Sequence, residues 1–126
     1  MTLVIQGETP PKKNSRINTR SGRSFPSKRF IEWQDSAVRQ VIEQTAEEFS
    51  RGGWQGYDLG MELTVTFYHG DMRKRDGDNQ LNSIHDMLVK AGVLAGDHWT
   101  VLPVEHIWHT YDKGNPRCVI SLEPVK

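Results

Sequence analysis

The stretch that most constrains the fold is MELTVTFYH, residues 61 to 69, in which apolar and polar side chains alternate. Successive side chains of a strand point to opposite faces, so Met61, Leu63, Val65 and Phe67 would share one face. This period of two predicts a half-buried strand. The end of the strand delivers the chain to an acidic stretch, residues 74 to 88.

Two other segments have the pattern of helices. The first runs from Ser27 to the SRGG stretch at residues 50 to 53, with apolar residues at helical spacing: Phe30, Ala37, Val38, Val41, Ile42, Ala46 and Phe49. The second runs from Asp78 to about Ala91. Asp78 can cap its first turn, and Gly92 is placed to end its last turn.

Three further strands are predicted. TLVIQ, residues 2 to 6, has strand propensity and stops before the two prolines at positions 10 and 11. The other two run from Val104 to Tyr111 and from Arg117 to Leu122, joined in a hairpin-like way by the turn formers of DKGNP. Hairpin-like and helix-linked strands together predict an α/β fold of the α+β type, a mixed β-sheet flanked by two main helices.

Length and composition limit the class of protein. With 126 residues the chain is the size of one domain, and we expect a single domain over residues 1–126. Cys118 is the only cysteine, which excludes an internal disulfide and suits a reducing compartment. No apolar run is long enough to span a membrane, and the first residues lack the order of a signal peptide. We therefore expect a soluble cytoplasmic protein.

The basic residues are concentrated in one segment, although 16 basic and 16 acidic residues cancel over the whole chain. Between Pro11 and Arg29 there is no acidic residue, and the polar residues there favour a loop. Such a loop is either a solvated surface or a grip on phosphates. The candidate DNA-binding residues are those of this segment together with a lysine before the acidic stretch: Lys12, Lys13, Arg16, Arg20, Arg23, Lys28, Arg29 and Lys74.

The acidic stretch KRDGDNQLNSIHDML places Asp76 and Asp78 one residue apart, with Asp86 further along the helix. Two carboxylates about 4 Å apart repel by roughly 4 kcal/mol at an effective dielectric constant near 20. Neighbouring basic side chains, a shared proton or a divalent cation could offset that repulsion. Oxygen-only ligands select Mg²⁺ or Mn²⁺ over zinc. Asp97 follows the helix end and could return beside the pair, so the pattern indicates a metal-dependent enzyme acting on phosphodiesters.

The stretch RDGDNQLNSIHDMLVKAGVLAGD resembles the RusA family of Holliday junction resolvases, a phage and prophage type. The family pattern is D-x-D-N-x-x-K, then D-x-L in the same helix, then an aspartate pair after the helix end. Asp76, Asp78 and Asn79 match its opening, Asp86 and Leu88 match D-x-L, and Asp97 matches the second aspartate of the pair. IQGETPPKKNSR and FPSKRFIEWQDSAV also resemble the family's strand, basic loop and first helix.

The resemblance implies a homodimeric endodeoxyribonuclease that binds a four-way DNA junction and makes two symmetric nicks in recombination and repair. It implies that Asp76, Asp78 and Asp97 are catalytic and hold Mg²⁺, with Mn²⁺ as a substitute. Asn79, Asn82 and Asp86 are candidates to support the metal ligands without touching the ion, and Asp86 is alternatively a ligand itself or a plain surface acid. We expect no membrane partner.

Two positions depart from the family pattern. Asn82 stands where the family has lysine, and Gly96 stands where it has the first aspartate of the pair. We hypothesise that Lys74 or a lysine of the basic loop supplies the missing charge. The alternatives are a nuclease for flaps or other branched DNA, and a junction-binding protein that has lost catalysis.

Other residues have less specific interpretations. His106 and His109 are three apart in a strand and would point to opposite faces, which argues against a shared zinc ion. His98 is either an exposed turn residue or a phosphate contact. Among the tryptophans, Trp99 is the candidate for stacking on a base. Cys118 lies in an apolar strand and is expected to be buried.

Overall fold

The computed structural model describes residues 1–11, 16–18, 24–50, 56–74 and 77–126. The elements in chain order are β1 (Thr2–Gln6), β2 (Arg16–Asn18), β3 (Ser24–Pro26), α1 (Lys28–Gln44), α2 (Ala46–Ser50), β4 (Met61–His69), α3 (Gly77–Lys90), β5 (Val104–Tyr111) and β6 (Arg117–Pro124). The fold is α+β, as predicted. β1, β4 and β5 have the predicted bounds, and β6 runs two residues beyond its predicted end.

The main sheet has four strands in the order β1-β6-β4-β5. β4 and β5 run parallel, whereas β6 runs antiparallel to both of its neighbours. The sheet is therefore mixed, as predicted. Parallel neighbours require a crossover connection, and α3 lies in the one between β4 and β5. This topology brings the acidic stretch to the carboxyl end of the inner strand β4.

The hairpin-like pairing predicted for the last two strands is wrong, because β4 lies between β5 and β6. The DKGNP connection passes the end of β4, where the Asp112 N–H donates to the His69 carbonyl at 2.8 Å. β4 buries every second side chain from Met61 to His69, the longest such face in the sheet. In its inner position β4 has a hydrogen-bonded strand on each side. If β5 and β6 paired with each other as a hairpin, β4 would not lie between them.

The first predicted helix is interrupted at Thr45 and forms two helices. Its start is as predicted, since the Ser27 hydroxyl accepts a hydrogen bond from the Phe30 N–H at 3.1 Å. Thr45 leaves the helical conformation, and its buried hydroxyl donates to the Val41 carbonyl at 2.7 Å. A threonine side chain that bonds the backbone in this way competes with continuation of the helix.

The second helix, α3, starts one residue before its predicted start, so Asp78 lies inside the first turn and not at the cap. Its end is as predicted. Gly92 has φ +81° and donates to the Val89 carbonyl at 3.1 Å, while Val93 donates to the Leu88 carbonyl at 3.0 Å. This pair of bonds is the Schellman ending, which needs a left-handed residue and so favours glycine.

One hydrophobic core lies between the sheet and the helices α1 and α3. It contains the apolar face of β4 together with side chains of the other elements: Leu3, Ile5, Trp33, Ala37, Val41, Ile84, Met87, Leu88, Ile120 and Leu122. Ile42 and Ala46 of the predicted apolar pattern are exposed. Cys118 is buried as predicted, and burial raises the pKa of its thiol to about 12.

The basic segment is not a plain loop as predicted, because β2 and β3 pair within it as a two-stranded antiparallel ribbon. The register places Ile17 opposite Phe25. Ile17 and Phe25 are strand formers, but charged and turn-forming residues outnumber them in this segment. Among the described helices, none has the length and apolarity needed to cross a bilayer.

Candidate metal centre and nucleic-acid interface

The predicted metal ligands come from the two ends of α3. Asp76 falls outside the described residues, and Asp78 and Asn79 belong to the first turn of the helix. Asp97 lies in the loop that follows the helix end. The meeting of the three carboxylates at one cation remains a prediction.

Asp97 lies against α3 through the imidazole of His85. The Asp97 Oδ2 is 4.0 Å from the His85 Nδ1, and the His85 Nε2 is 3.0 Å from the Glu105 Oε2. His85 is only 9% exposed, whereas the Asp97 side chain is 53% exposed. The imidazole therefore joins a carboxylate of β5 to a carboxylate that faces solvent. Supports of this kind orient the ligands of metal sites.

His85 was not among the predicted site residues, although its spacing from Asp78 places both positions on one face of α3. At about 100° per residue, a position seven after Asp78 lies only ~20° away around the helix, whereas Asp86 lies ~80° away. His85 thus shares a helix face with Asp78 more closely than Asp86 does. Asn82 is exposed and Asp86 is half-buried.

Two buried side chains of α3 bind the carbonyls of Thr9 and Pro10, the two residues directly before the basic segment, here called its root. The Gln80 Nε2 donates to the Thr9 carbonyl at 2.9 Å, and the Ser83 hydroxyl donates to the Pro10 carbonyl at 2.6 Å. Buried backbone carbonyls require such donors. The helix that begins in the acidic stretch is therefore also the helix that anchors the basic segment.

Only part of the predicted DNA-binding set is described in full. Lys12, Lys13, Arg20 and Arg23 fall outside the described residues, and Arg16 belongs to β2. Lys28 and Arg29 are exposed at the start of α1, and Lys74 is exposed before α3.

Arg29 and Lys74 line one pocket of about 140 Å³ together with Arg73, Thr9 and Pro11, here called the basic pocket. Asp71 accepts a hydrogen bond from the Arg73 Nε at 3.1 Å and raises the pKa of that guanidinium. Three cationic side chains from two separate parts of the chain therefore converge beside the residues that α3 anchors.

The other four histidines each lie within hydrogen-bonding distance of another side chain. His106 and His109 lie on opposite faces of β5, as predicted: the His106 Nε2 is 2.6 Å from the Glu62 Oε2, and the His109 Nδ1 is 2.8 Å from the His69 Nε2. Over the described ranges, no three histidine, cysteine, aspartate or glutamate side chains group as metal ligands. His98 is exposed with its Nδ1 2.6 Å from the Thr100 hydroxyl, and Trp99 is 78% exposed.

Comparison with known proteins agrees with the motif. No family model matches the chain. The chain is 29% identical over 114 residues to the crossover junction endodeoxyribonuclease RusA of Aquifex aeolicus (strain VF5), an alignment that covers 90% of this chain and 83% of that protein. The similarity extends over nearly the whole length of this chain and agrees with the spaced aspartates of residues 76 to 97.

Proposed function

We propose that this protein is a structure-specific endodeoxyribonuclease that resolves four-way DNA junctions by paired symmetric nicks, in cytoplasmic recombination and repair. One observation carries the proposal. α3 binds the root of the basic segment through Gln80 and Ser83 and contacts Asp97 through His85. One rigid helix thus ties a phosphate-binding surface to a carboxylate of the family motif. The relative from Aquifex aeolicus, named a crossover junction endodeoxyribonuclease, supports the choice of substrate.

The donor set fits Mg²⁺, with Mn²⁺ as a substitute. Hard cations prefer carboxylate oxygens, and the exposed Asp97 is accessible to an ion from solvent. Bound by Asp76, Asp78 and Asp97, the ion would supply an activated water and stabilise charge on the departing 3′ oxygen. The protein's own part is to orient Asp97 through His85 and to bind the DNA backbone at Arg29 and Lys74. Asn79, Asn82 and Asp86 would support the ligands from α3.

A homodimer is part of the proposal, because a junction offers two equivalent strands and a two-fold dimer offers two equivalent sites. Features of β5 support an interface there. Within the described sheets it pairs only with β4, and its Trp108 is 64% exposed. The dimer is tested by light scattering at the protein concentrations used in the cleavage assay. A measured mass equal to that of a single chain would contradict the dimer.

The proposal is tested with a labelled four-way junction, with and without Mg²⁺. We expect Mg²⁺-dependent paired nicks at symmetric positions. Binding without cleavage would favour a protein that has lost catalysis, a reading supported by the exposed Asn82 in place of lysine. Cleavage of flaps but not of junctions would favour a branched-DNA nuclease of the same family.

The basic pocket is expected to bind the DNA backbone. Replacing both Arg29 and Lys74 by alanine should weaken junction binding for every sequence tested and lower the slope of log K against log salt by about 2, roughly 1 for each lost phosphate contact. Binding is measured by fluorescence anisotropy at several salt concentrations. Arg39→Ala, which removes an exposed cation further along α1, is the control and should leave the slope unchanged. An unaltered slope in the double variant would exclude this pocket from the interface.

The lysine missing from α3 is expected to limit the rate. Asn82→Lys should raise the single-turnover cleavage rate with little change in junction affinity, because a cation there would offset charge on the reacting phosphate. Lys74→Ala in the natural chain should lower the same rate if Lys74 stands in for that lysine. If Asn82→Lys cuts faster and Lys74→Ala cuts at the natural rate, Lys74 does not supply the charge of the missing lysine.

A further inference from the structure

A second pocket opens at the carboxyl ends of β4 and β5, next to the basic pocket. It has a volume of about 220 Å³, and the walls that define this strand-end pocket are formed by His69, Asp71, Met72, Arg73, His109, Thr110 and Tyr111. The Asp71 carboxylate pairs with the Arg73 guanidinium at 3.1 Å. Arg73 also lines the basic pocket, so the two pockets adjoin. The segment that carries Met72 and Arg73 leads into the start of α3 at Gly77.

Aromatic rings form one wall of the strand-end pocket. The His109 ring lies nearly parallel to Phe67, with centroids 5.2 Å apart and planes that differ by 18°. It lies edge to edge with His69, with centroids 5.1 Å apart and planes that differ by 10°, since the two rings share a hydrogen bond. Tyr111 follows His109 on the same face of β5 and is 48% exposed, and Met72 is 80% exposed. A flat apolar wall beside an arginine is a surface on which a nucleobase stacks while its phosphate meets a cation.

A chain of hydrogen bonds holds these rings in place. The Glu8 Oε2 lies 3.0 Å from the His69 Nδ1, and the His69 Nε2 lies 2.8 Å from the His109 Nδ1. A carboxylate only accepts, so the His69 Nδ1 donates to Glu8. When both imidazoles are neutral, His109 donates to the His69 Nε2. The other oxygen of Glu8 accepts from the Gly70 N–H at 3.3 Å. Ring positions fixed before a ligand arrives lower the cost of binding it.

We propose that the strand-end pocket is a subsite for one unstacked nucleotide of the DNA strand bound at the acidic stretch. The base lies against His109 and Tyr111, and Arg73 contacts the phosphate. The inference rests on the proposed function for the identity of the DNA. The volume is smaller than that of sites enclosing drug-sized ligands, about 300 to 1,000 Å³, and suits a single base better than a base pair.

The first test needs no junction. Deoxynucleoside monophosphates are titrated into the full-length protein and followed by NMR. We expect shifts at His69, His109 and Tyr111 with little change at His106. His109→Ala and Tyr111→Ala should each weaken the binding about tenfold, whereas Tyr111→Phe should retain it. His106→Ala, a histidine on the opposite face of the same strand, should bind like the natural chain. Thermal unfolding confirms that each variant is folded.

Two results would overturn the subsite. One is the absence of shifts at these residues up to millimolar nucleotide. The other is an equal response to inorganic phosphate, which would make the pocket an anion site only. A second readout uses junctions with 2-aminopurine beside the branch point: fluorescence should rise on binding the natural chain and not on binding Tyr111→Ala. If the protein neither binds nor cuts junctions yet binds nucleotides here, the proposed function fails and the subsite stands. If junctions are cut with no response at this pocket, the subsite alone fails.

Discussion

Replacing Asp97 by asparagine is expected to abolish Mg²⁺-dependent junction cleavage, with a loss of about 10³-fold or more in the single-turnover rate. The amide has nearly the same shape but no charge, so it is a much poorer ligand for a hard cation. Charge stabilisation by a catalytic metal is worth several kcal/mol, and about 1.4 kcal/mol corresponds to a factor of ten in rate. Junction binding should be preserved or improved, since a negative charge that faces the DNA backbone is removed.

The matched control for this variant is Asp58→Asn, which removes an exposed carboxylate from the loop before β4. It should cut at the natural rate. Asp76→Asn should behave like Asp97→Asn if the two side chains share an ion. A normal rate for either of these two variants would mean that the proposed metal site is misplaced.

His85→Leu is expected to raise the Mn²⁺ or Mg²⁺ concentration needed for half-maximal cleavage by 10- to 100-fold, the usual effect of removing a side chain that orients a metal ligand. The imidazole lies between Glu105 at 3.0 Å and Asp97 at 4.0 Å. Without it, Asp97 loses the group that positions it. The rate at saturating metal should fall far less than in Asp97→Asn, because all three proposed ligands remain. The measurement is a metal titration of the single-turnover rate.

A merely structural role for His85 would predict a different outcome. In that case His85→Leu would lower the thermal stability of the protein. The molecules that remain folded would need the same metal concentration for half-maximal cleavage as the natural chain. His85→Gln can still donate to Glu105 and should recover part of the metal affinity. His106→Ala breaks a similar histidine–glutamate pair, 2.6 Å long, on the opposite face of the sheet, and should leave the midpoint unchanged. An unshifted midpoint in His85→Leu would remove His85 from the site.

The two predicted helices, α3 and the one interrupted at Thr45, show what a local sequence pattern can and cannot predict. The apolar spacing of α3 and the glycine at position 92 predicted its course and its end, because both depend on residues within a few positions of each other. The same spacing predicted one unbroken helix up to Phe49, yet the chain turns at Thr45. There a buried hydroxyl bonds the Val41 carbonyl, a competition that apolar periodicity does not register.

In the candidate site, too, local spacing predicted some residues, and others depend on contacts between distant segments. The aspartates of residues 76 to 97 were identified by their spacing within one segment. His85 passed unnoticed because its role depends on Glu105, twenty residues away on β5. The contact between His69 and His109 joins residues forty apart in the sequence, which share a pocket wall because β4 and β5 lie side by side.

By itself the sequence determined the strand β4, the helix α3 with its ending at Gly92, and the acidic motif that resembles that of the RusA family. Periodicity, capping and ligand chemistry are properties of short segments, so they can be recognised without knowing which other segments pack against them. Only the tertiary structure decided that β4 separates β5 from β6, that α3 anchors the Thr9 and Pro10 carbonyls, and that His85 joins Glu105 to Asp97. Those contacts join segments distant in sequence. They are selected when the sheet closes over its core and each buried polar group must find a partner.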